Sequence, residues 1–348
     1  MAYTTINDPS AYFQTTIYTG NGGTQSITNT GNSDMQPDWT WIKRRDSADN
    51  HNTFDSVRGA THRLITNLTN AQDTVTNMLT SFNSDGFSVG SHEGVNGSSM
   101  TYASWNWKAG TSVSGNTGGS GTAKSYTGSV NTDAGFSIIA YTGNGTAGHT
   151  IPHHLSAVPN IVLTKGRSGA LNWFFFDSMS SYLKRLKLNT TDAQADTDGL
   201  NDTAPTSSVF TVSGGGEGNT NGATYVAYLF AEKQGYSKFG SYTGNGNADG
   251  TFVYTGFKPA FVIRKVTDAS SDWIMQDNKR SESGGSNQIR NYLFPNSSQA
   301  EVSSQDYFNI DFLSNGFKMR STDGGANGSG SSYIYMAFAE NPFVTSTG

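Results

Sequence analysis

Asp55 and Arg58 stand three residues apart, Asp277 and Arg280 repeat that spacing, and Asp177 has Ser180 where the arginine would fall. An acid and a base at this spacing can close a local ion pair or cap a turn, or they can present contacts to a sugar or a partner. Trp173 and Trp273 lie four residues before two of these aspartates, where the first copy has His51. An indole is large enough to organise a core and, if exposed, flat enough to stack on a sugar. Packing is the favoured reading of both tryptophans. On the functional reading, Trp173, Trp273, Asp177 and Asp277 are the candidate ligand-binding residues.

Catalytic patterns are sparse. No nucleophile elbow, phosphate-binding loop or zinc-protease pattern occurs. The six glutamates offer no evident acid–base couple for glycoside hydrolysis, and most aspartates sit in turns such as Ser84-Asp85-Gly86. His149, His153 and His154 are the one histidine cluster; without an assignable facing carboxylate they read as a polar loop. Asp192, Asp196, Asp198 and Asp202 lack the spacing of a calcium loop. The expectation is therefore a non-enzymatic protein with no catalytic residue, metal or cofactor.

The elements that carry these residues recur. Tyr-Thr-Gly-Asn-Gly occurs at 18–22, 141–145 and 242–246. Behind each copy comes a proline-led apolar strand ending in lysine: Pro37 to Lys43, Pro159 to Lys165 and Pro259 to Lys265. A second strand closes on Asp55, Asp177 or Asp277. A closing aromatic strand then begins at Tyr102, Tyr225 or Tyr333. The shared order reads as three diverged copies of one unit. Glycine and asparagine tolerate positive φ, so the pentapeptide reads as a reverse turn. The proline-led strands are apolar on both parities, which requires cover on both faces.

The fold expected is all-β: three tandem antiparallel β-sandwiches, jelly-roll or lectin-like, of about 100 residues each. Their bounds are 1–110 with an N-terminal arm, 135–235 and 236–348, with residues 111–134, rich in Gly, Ser and Thr, as a flexible linker. A net charge of -5 argues against nucleic acid as partner. The amino terminus has no basic region or apolar run, and no stretch is long enough to span a bilayer, so a soluble chain without a secretory signal or membrane insertion is expected. There is no cysteine to staple the fold.

Met1-Ala-Tyr-Thr-Thr-Ile-Asn-Asp-Pro-Ser-Ala-Tyr-Phe-Gln14, Pro37 to Lys43, Phe54 to Gly59 and Tyr335 to Phe343 carry a resemblance to virion proteins of marine tailed bacteriophages. It covers nearly the whole chain and is most specific at the two ends. The resemblance implies lectin-like or SPRY-like sandwiches at the virion surface, on a tail fibre or spike or on the head. Other virion proteins and a host surface glycan or envelope protein are the partners it implies, with assembly as a homo-oligomer. Attachment to the host is the first reading and decoration or cementing of the particle the second; a polysaccharide depolymerase comes last.

Overall fold

The computed structural model describes residues 4–280, 287–303 and 306–341. Almost all of its regular structure is antiparallel strand; among the described residues the α-helix is a single turn, Glu93–Asn96.

One strand order recurs three times. In the first unit Phe13–Thr19 pairs with the closing strand Thr101–Trp107, which pairs with the proline-led Trp39–Arg44, which pairs with Asn52–Asp55. Phe136–Thr142, Thr224–Phe230, Ile161–Gly166 and Trp173–Asp177 repeat the order. So do Ser237–Thr243, Ser332–Phe338, Phe261–Val266 and Ile274–Asp277. A smaller sheet faces each large one; the three contain Phe87–Val89, Val209–Val212 and Gly316–Met319 respectively.

Alternation along the strands sorts side chains into two kinds of core. Ile42, Val162 and Val262 point inward to the core of their own sandwich. Their neighbours Trp39, Trp41, Ile161, Leu163, Phe261 and Ile263 point the other way, into one cluster shared by all three units. The closing strands divide likewise: Tyr225, Ala227 and Leu229 serve the sandwich, while Val226, Tyr228 and Phe230 serve the shared core. Rings from different units meet there, Trp39 with Tyr228 at 4.5 Å and Phe13 with Phe338 at 5.4 Å between centroids. A void of only about 30 Å³ remains at the centre. The double-sided apolar strands are thus covered on one face by their own small sheet and on the other by the neighbouring sandwiches.

The segment 111–134 is not a linker. Thr111–Asn116 pairs with Ser125–Asn131, which pairs with the outer edge of Phe136–Thr142, so the second unit's large sheet gains two strands. Ladder bonds come from the backbone, and glycine or serine side chains do not prevent them. The N-terminal residues that are described form an arm: Ile6 enters the shared core and Thr4 Oγ1 donates to the Gln234 carbonyl at 2.6 Å.

Candidate functional site: the junctions between sandwiches

The three sandwiches meet at junctions built on one plan. Leu171 N–H donates to Thr69 O and Gln72 N–H to Arg167 O between units two and one. Ser271 to Thr191 and Gln194 to Thr267 repeat this between units three and two; Asp49 to Ser298 and Glu301 to Arg45 repeat it between units one and three. A head-to-tail contact that returns to its start after three steps is a closed ring with a pseudo-threefold axis.

Asp55, Asp177 and Asp277 lie at these junctions and are fully buried. Each caps its own turn: its Oδ1 accepts from the backbone N–H of Arg58, Ser180 or Arg280 at 2.8 to 3.0 Å. Asp55 Oδ2 takes Arg58 Nε at 2.5 Å and the hydroxyl of Tyr228, from the second unit, at 2.6 Å. Asp277 Oδ2 takes Arg280 Nε at 2.6 Å and the indole N–H of Trp105, from the first unit, at 3.0 Å. A buried carboxylate is tolerable only with such partners. At the third junction the side-chain donor is Gln194 Nε2, at 3.2 Å, and Met336 stands where Trp105 and Tyr228 stand in the other closing strands. Burial pushes the Asp177 carboxyl up, opposed by its hydrogen bonds with Ser180.

A second arginine position separates the junctions in the same way. Arg167 donates to Gln72 at 2.9 Å, and Arg45 makes a bidentate pair with Glu301. The matching residue of the third unit is Thr267. With Ser180 and Thr267 in place of two arginines, a cleft of about 740 Å³ opens between units two and three, lined by Asp177, Lys184, Gln194, Asp268 and Tyr333 among others.

Trp173 and Trp273 are buried at the same junctions, so neither indole face is open to a sugar. Trp173 Nε1 donates to Ile65 O of unit one at 2.8 Å, and Trp273 Nε1 to Lys187 O of unit two at 3.0 Å. His51, in the matching place, accepts from Trp41 Nε1 at 2.9 Å, and burial holds its imidazole well below its ordinary pKa. Trp173, Trp273 and Asp277 therefore join the sandwiches, whereas Asp177 is bonded within its own unit, by Ser180 and Gln194, and lines the open cleft.

Lys43, Lys165 and Lys265 are buried as well. Their ammonium groups donate to loop carbonyls: Lys43 to Arg44 O at 2.5 Å, Lys165 to Leu171 O at 2.6 Å and to Thr69 O across the junction at 2.8 Å, Lys265 to Val266 O at 2.8 Å. Burial lowers each to about 8.

The repeated pentapeptide forms a pinned loop whose tip is exposed. A Cβ on its first glycine, Gly20, Gly143 or Gly244, would lie 2.2 to 2.5 Å from a carbonyl oxygen, and its second, Gly22, Gly145 or Gly246, has φ between 66° and 75°. Both positions thus require glycine. The pin is a fully buried asparagine. Asn96, Asn219 and Asn327 accept from the loop N–H groups of Asn21, Asn144 and Asn245 at 2.8 to 3.1 Å, and each Nδ2 donates to loop carbonyls. Two tyrosines complete the clamp. Tyr18, Tyr141 and Tyr242 stack on Tyr102, Tyr225 and Tyr333 at 4.7 to 5.4 Å. The first of each pair donates to the carbonyl before the asparagine, and the second accepts from the N–H after it. Sequence reasoning missed these asparagines. Their signal was available, since each lies six residues before the first tyrosine of a closing strand.

The histidines are engaged in the second unit: His149 with Asn219 and Thr117, His153 with the Thr206 carbonyl, His154 with the Tyr126 hydroxyl. Among the described residues no group of three or more His, Cys, Asp or Glu side chains could hold a metal ion, and no helix is long and apolar enough to cross a membrane.

A family model described as "Domain of unknown function (DUF7483)" matches residues 8–342, and the chain belongs to that family. No curated protein and no solved structure matches it.

Proposed function

We propose that this chain is a non-enzymatic component of a tailed-phage virion, a tail-fibre or spike head that presents three copies of one rigid loop for attachment to a host-surface glycan or envelope protein. The observation that carries this reading is the pinned loop. The exposed tips at 21–24, 145–147 and 245–249 occupy the same place in each unit, and a pseudo-threefold ring repeats that place about one axis. Buried Tyr-Asn-Tyr clamps remove the ordering cost that a mobile loop would incur on binding. Three weak sites on one body then gain by avidity. The virion setting comes from the resemblance of the two ends and the proline-led strands; the ring supports it because three diverged copies in one chain reproduce the symmetry of a trimeric fibre tip.

The same pseudo-threefold ring favours a second reading, a decoration or cement protein seated at a local threefold of the capsid lattice. Quantitative mass spectrometry of purified particles, scaled to the major capsid protein, separates the two. A few copies per particle supports the attachment head. A simple fraction of the capsid subunit number supports decoration. Absence from particles overturns both.

A further inference from the structure

We propose that the cleft between the second and third sandwiches is a docking site for an extended, arginine-bearing segment of a partner protein, whose guanidinium group reaches Asp177. The molecule supplies its own comparison. At two junctions a buried aspartate is met by an arginine from its own turn, Asp55 by Arg58 and Asp277 by Arg280, and a second arginine from the neighbouring unit holds the acidic or amide side chain beside it, Arg167 on Gln72 and Arg45 on Glu301. At the third, the aspartate is kept and both arginine positions are emptied, to Ser180 and Thr267.

The acceptors that hold a guanidinium elsewhere recur there. Arg58 donates to Asp55, to Gln72 Oε1 and to the carbonyl two residues before the aspartate; Arg280 donates to Asp277, to Glu301 and to the corresponding carbonyl. The matching groups at the open junction are Asp177, Gln194 and the Phe175 carbonyl. Gln194 now turns its amide N–H toward Asp177 at 3.2 Å and would turn its oxygen to an incoming guanidinium, a rotation of one terminal torsion. Asp268 on the facing wall adds a second carboxylate against the single Lys184.

The extended form of the partner is also read from within the molecule. On the second unit, Ser125–Asn131 lies along the outer edge of Phe136–Thr142 and narrows the matching surface, lined by Tyr126, Tyr141 and Arg167, to about 170 Å³. On the third unit the equivalent strand Ser237–Thr243 pairs with Ser332–Phe338 alone among the described strands, and its residues Ser241 to Thr243 line the open cleft. A strand added to that edge would run beside Asp177, with ladder bonds supplying affinity and the arginine supplying selection.

The test uses the full chain and a blocked Thr-Val-Arg-Val-Thr pentapeptide, with citrulline replacing arginine as the neutral isostere, read by titration calorimetry and amide chemical shifts. The arginine peptide is expected to bind saturably, at least tenfold tighter than the citrulline peptide, with shifts at Ser241 to Thr243 and Gln194. The variant Ser180→Arg is expected to plug the cleft from inside, raising Tm and abolishing peptide binding. Equal affinity for the two peptides, no saturable binding to the parent chain, or a Ser180→Arg variant that still binds the peptide overturns the proposal. So does a Ser180→Arg variant whose Tm falls, because no guanidinium pocket then exists beside Asp177.

Discussion

The indole N–H of Trp105 donates to Asp277 Oδ2 at 3.0 Å across 172 positions of chain. The Arg280 guanidinium, bound to the same oxygen, lies 5.3 Å from the centroid of that indole, and Glu301 takes its other end at 2.6 Å. An arginine is thus sealed at a junction with two carboxylates and an aromatic face.

Removing one partner of such a group strands a buried charge. Asp277→Ala is expected to cost about 3–5 kcal/mol in urea unfolding. Trp105→Phe removes one hydrogen bond to a charged acceptor plus some packing, about 1.5–3 kcal/mol. The double variant should cost less than the sum, since both remove the same contact. A loss under about 1 kcal/mol for Asp277→Ala would mean that the shared apolar core alone closes the ring.

The asparagine clamps predict a loop-specific loss. Asn327→Ala leaves the carbonyls of Asn247 and Ser321 without the donor they share, and Asn245 loses both its partners in that side chain. The expected cost is about 2–3 kcal/mol, together with faster proteolysis around 245–249. Asn327→Asp keeps the acceptor but turns a buried carboxylate oxygen toward the carbonyls of Asn247 and Ser321, so at neutral pH it should cost at least as much as the alanine variant. Unchanged proteolysis in Asn327→Ala would show that the stacked tyrosines hold the loop unaided.

Three buried lysines give the stability an alkaline signature. Each has a folded-state value of about 8 against an ordinary 10.5. Between those values the unfolded chain holds more protons than the folded one, so unfolding free energy rises with pH. Each lysine contributes up to about 3 kcal/mol across that interval. The buried tyrosines, with raised values, act in the opposite sense once the unfolded chain begins to lose phenolic protons near 10. The window is therefore from about pH 8 to just under 10. Lys165→Met should reduce the slope there by about one third, whatever it does to absolute stability. A parent slope of zero between pH 8 and 9.5 would show that the ammonium groups stay charged.

Much of the sandwich was legible in the sequence because its signals are local. Tyr-Thr-Gly-Asn-Gly marks a turn that needs glycine twice, and Phe261-Val262-Ile263, apolar on both parities, announces a strand covered on both faces. What covers the second face was not legible, since the partners of Phe261 include Phe13 and Trp107 of a distant unit. Trp173 shows the same limit: its indole N–H is held by Ile65 O, and no local pattern announces that contact. The segment 111–134 misled for a different reason. Its composition describes side chains, whereas its role in the sheet is a property of backbone groups.

The shared core bears on how the chain unfolds. Trp39, Trp107, Tyr228, Phe230, Phe261 and Phe338 come from three units and are each at most 2% exposed. A fully buried side chain of this size is worth about 1.5–3 kcal/mol or more, whereas exposed ion pairs such as Arg63–Asp73 and Lys187–Asp192 are worth about 0–1 kcal/mol each. A sandwich released from the ring would keep its own core but would expose a face of tryptophan and phenylalanine, a cost that surface pairing cannot offset. The three sandwiches should therefore unfold together. Calorimetry is expected to show one transition whose van't Hoff enthalpy matches the calorimetric one. Residues 1–110 expressed alone should bind a hydrophobic dye and aggregate. Three resolved transitions, or a soluble, monomeric 1–110 fragment without dye binding, would place the cooperative unit in the single sandwich instead.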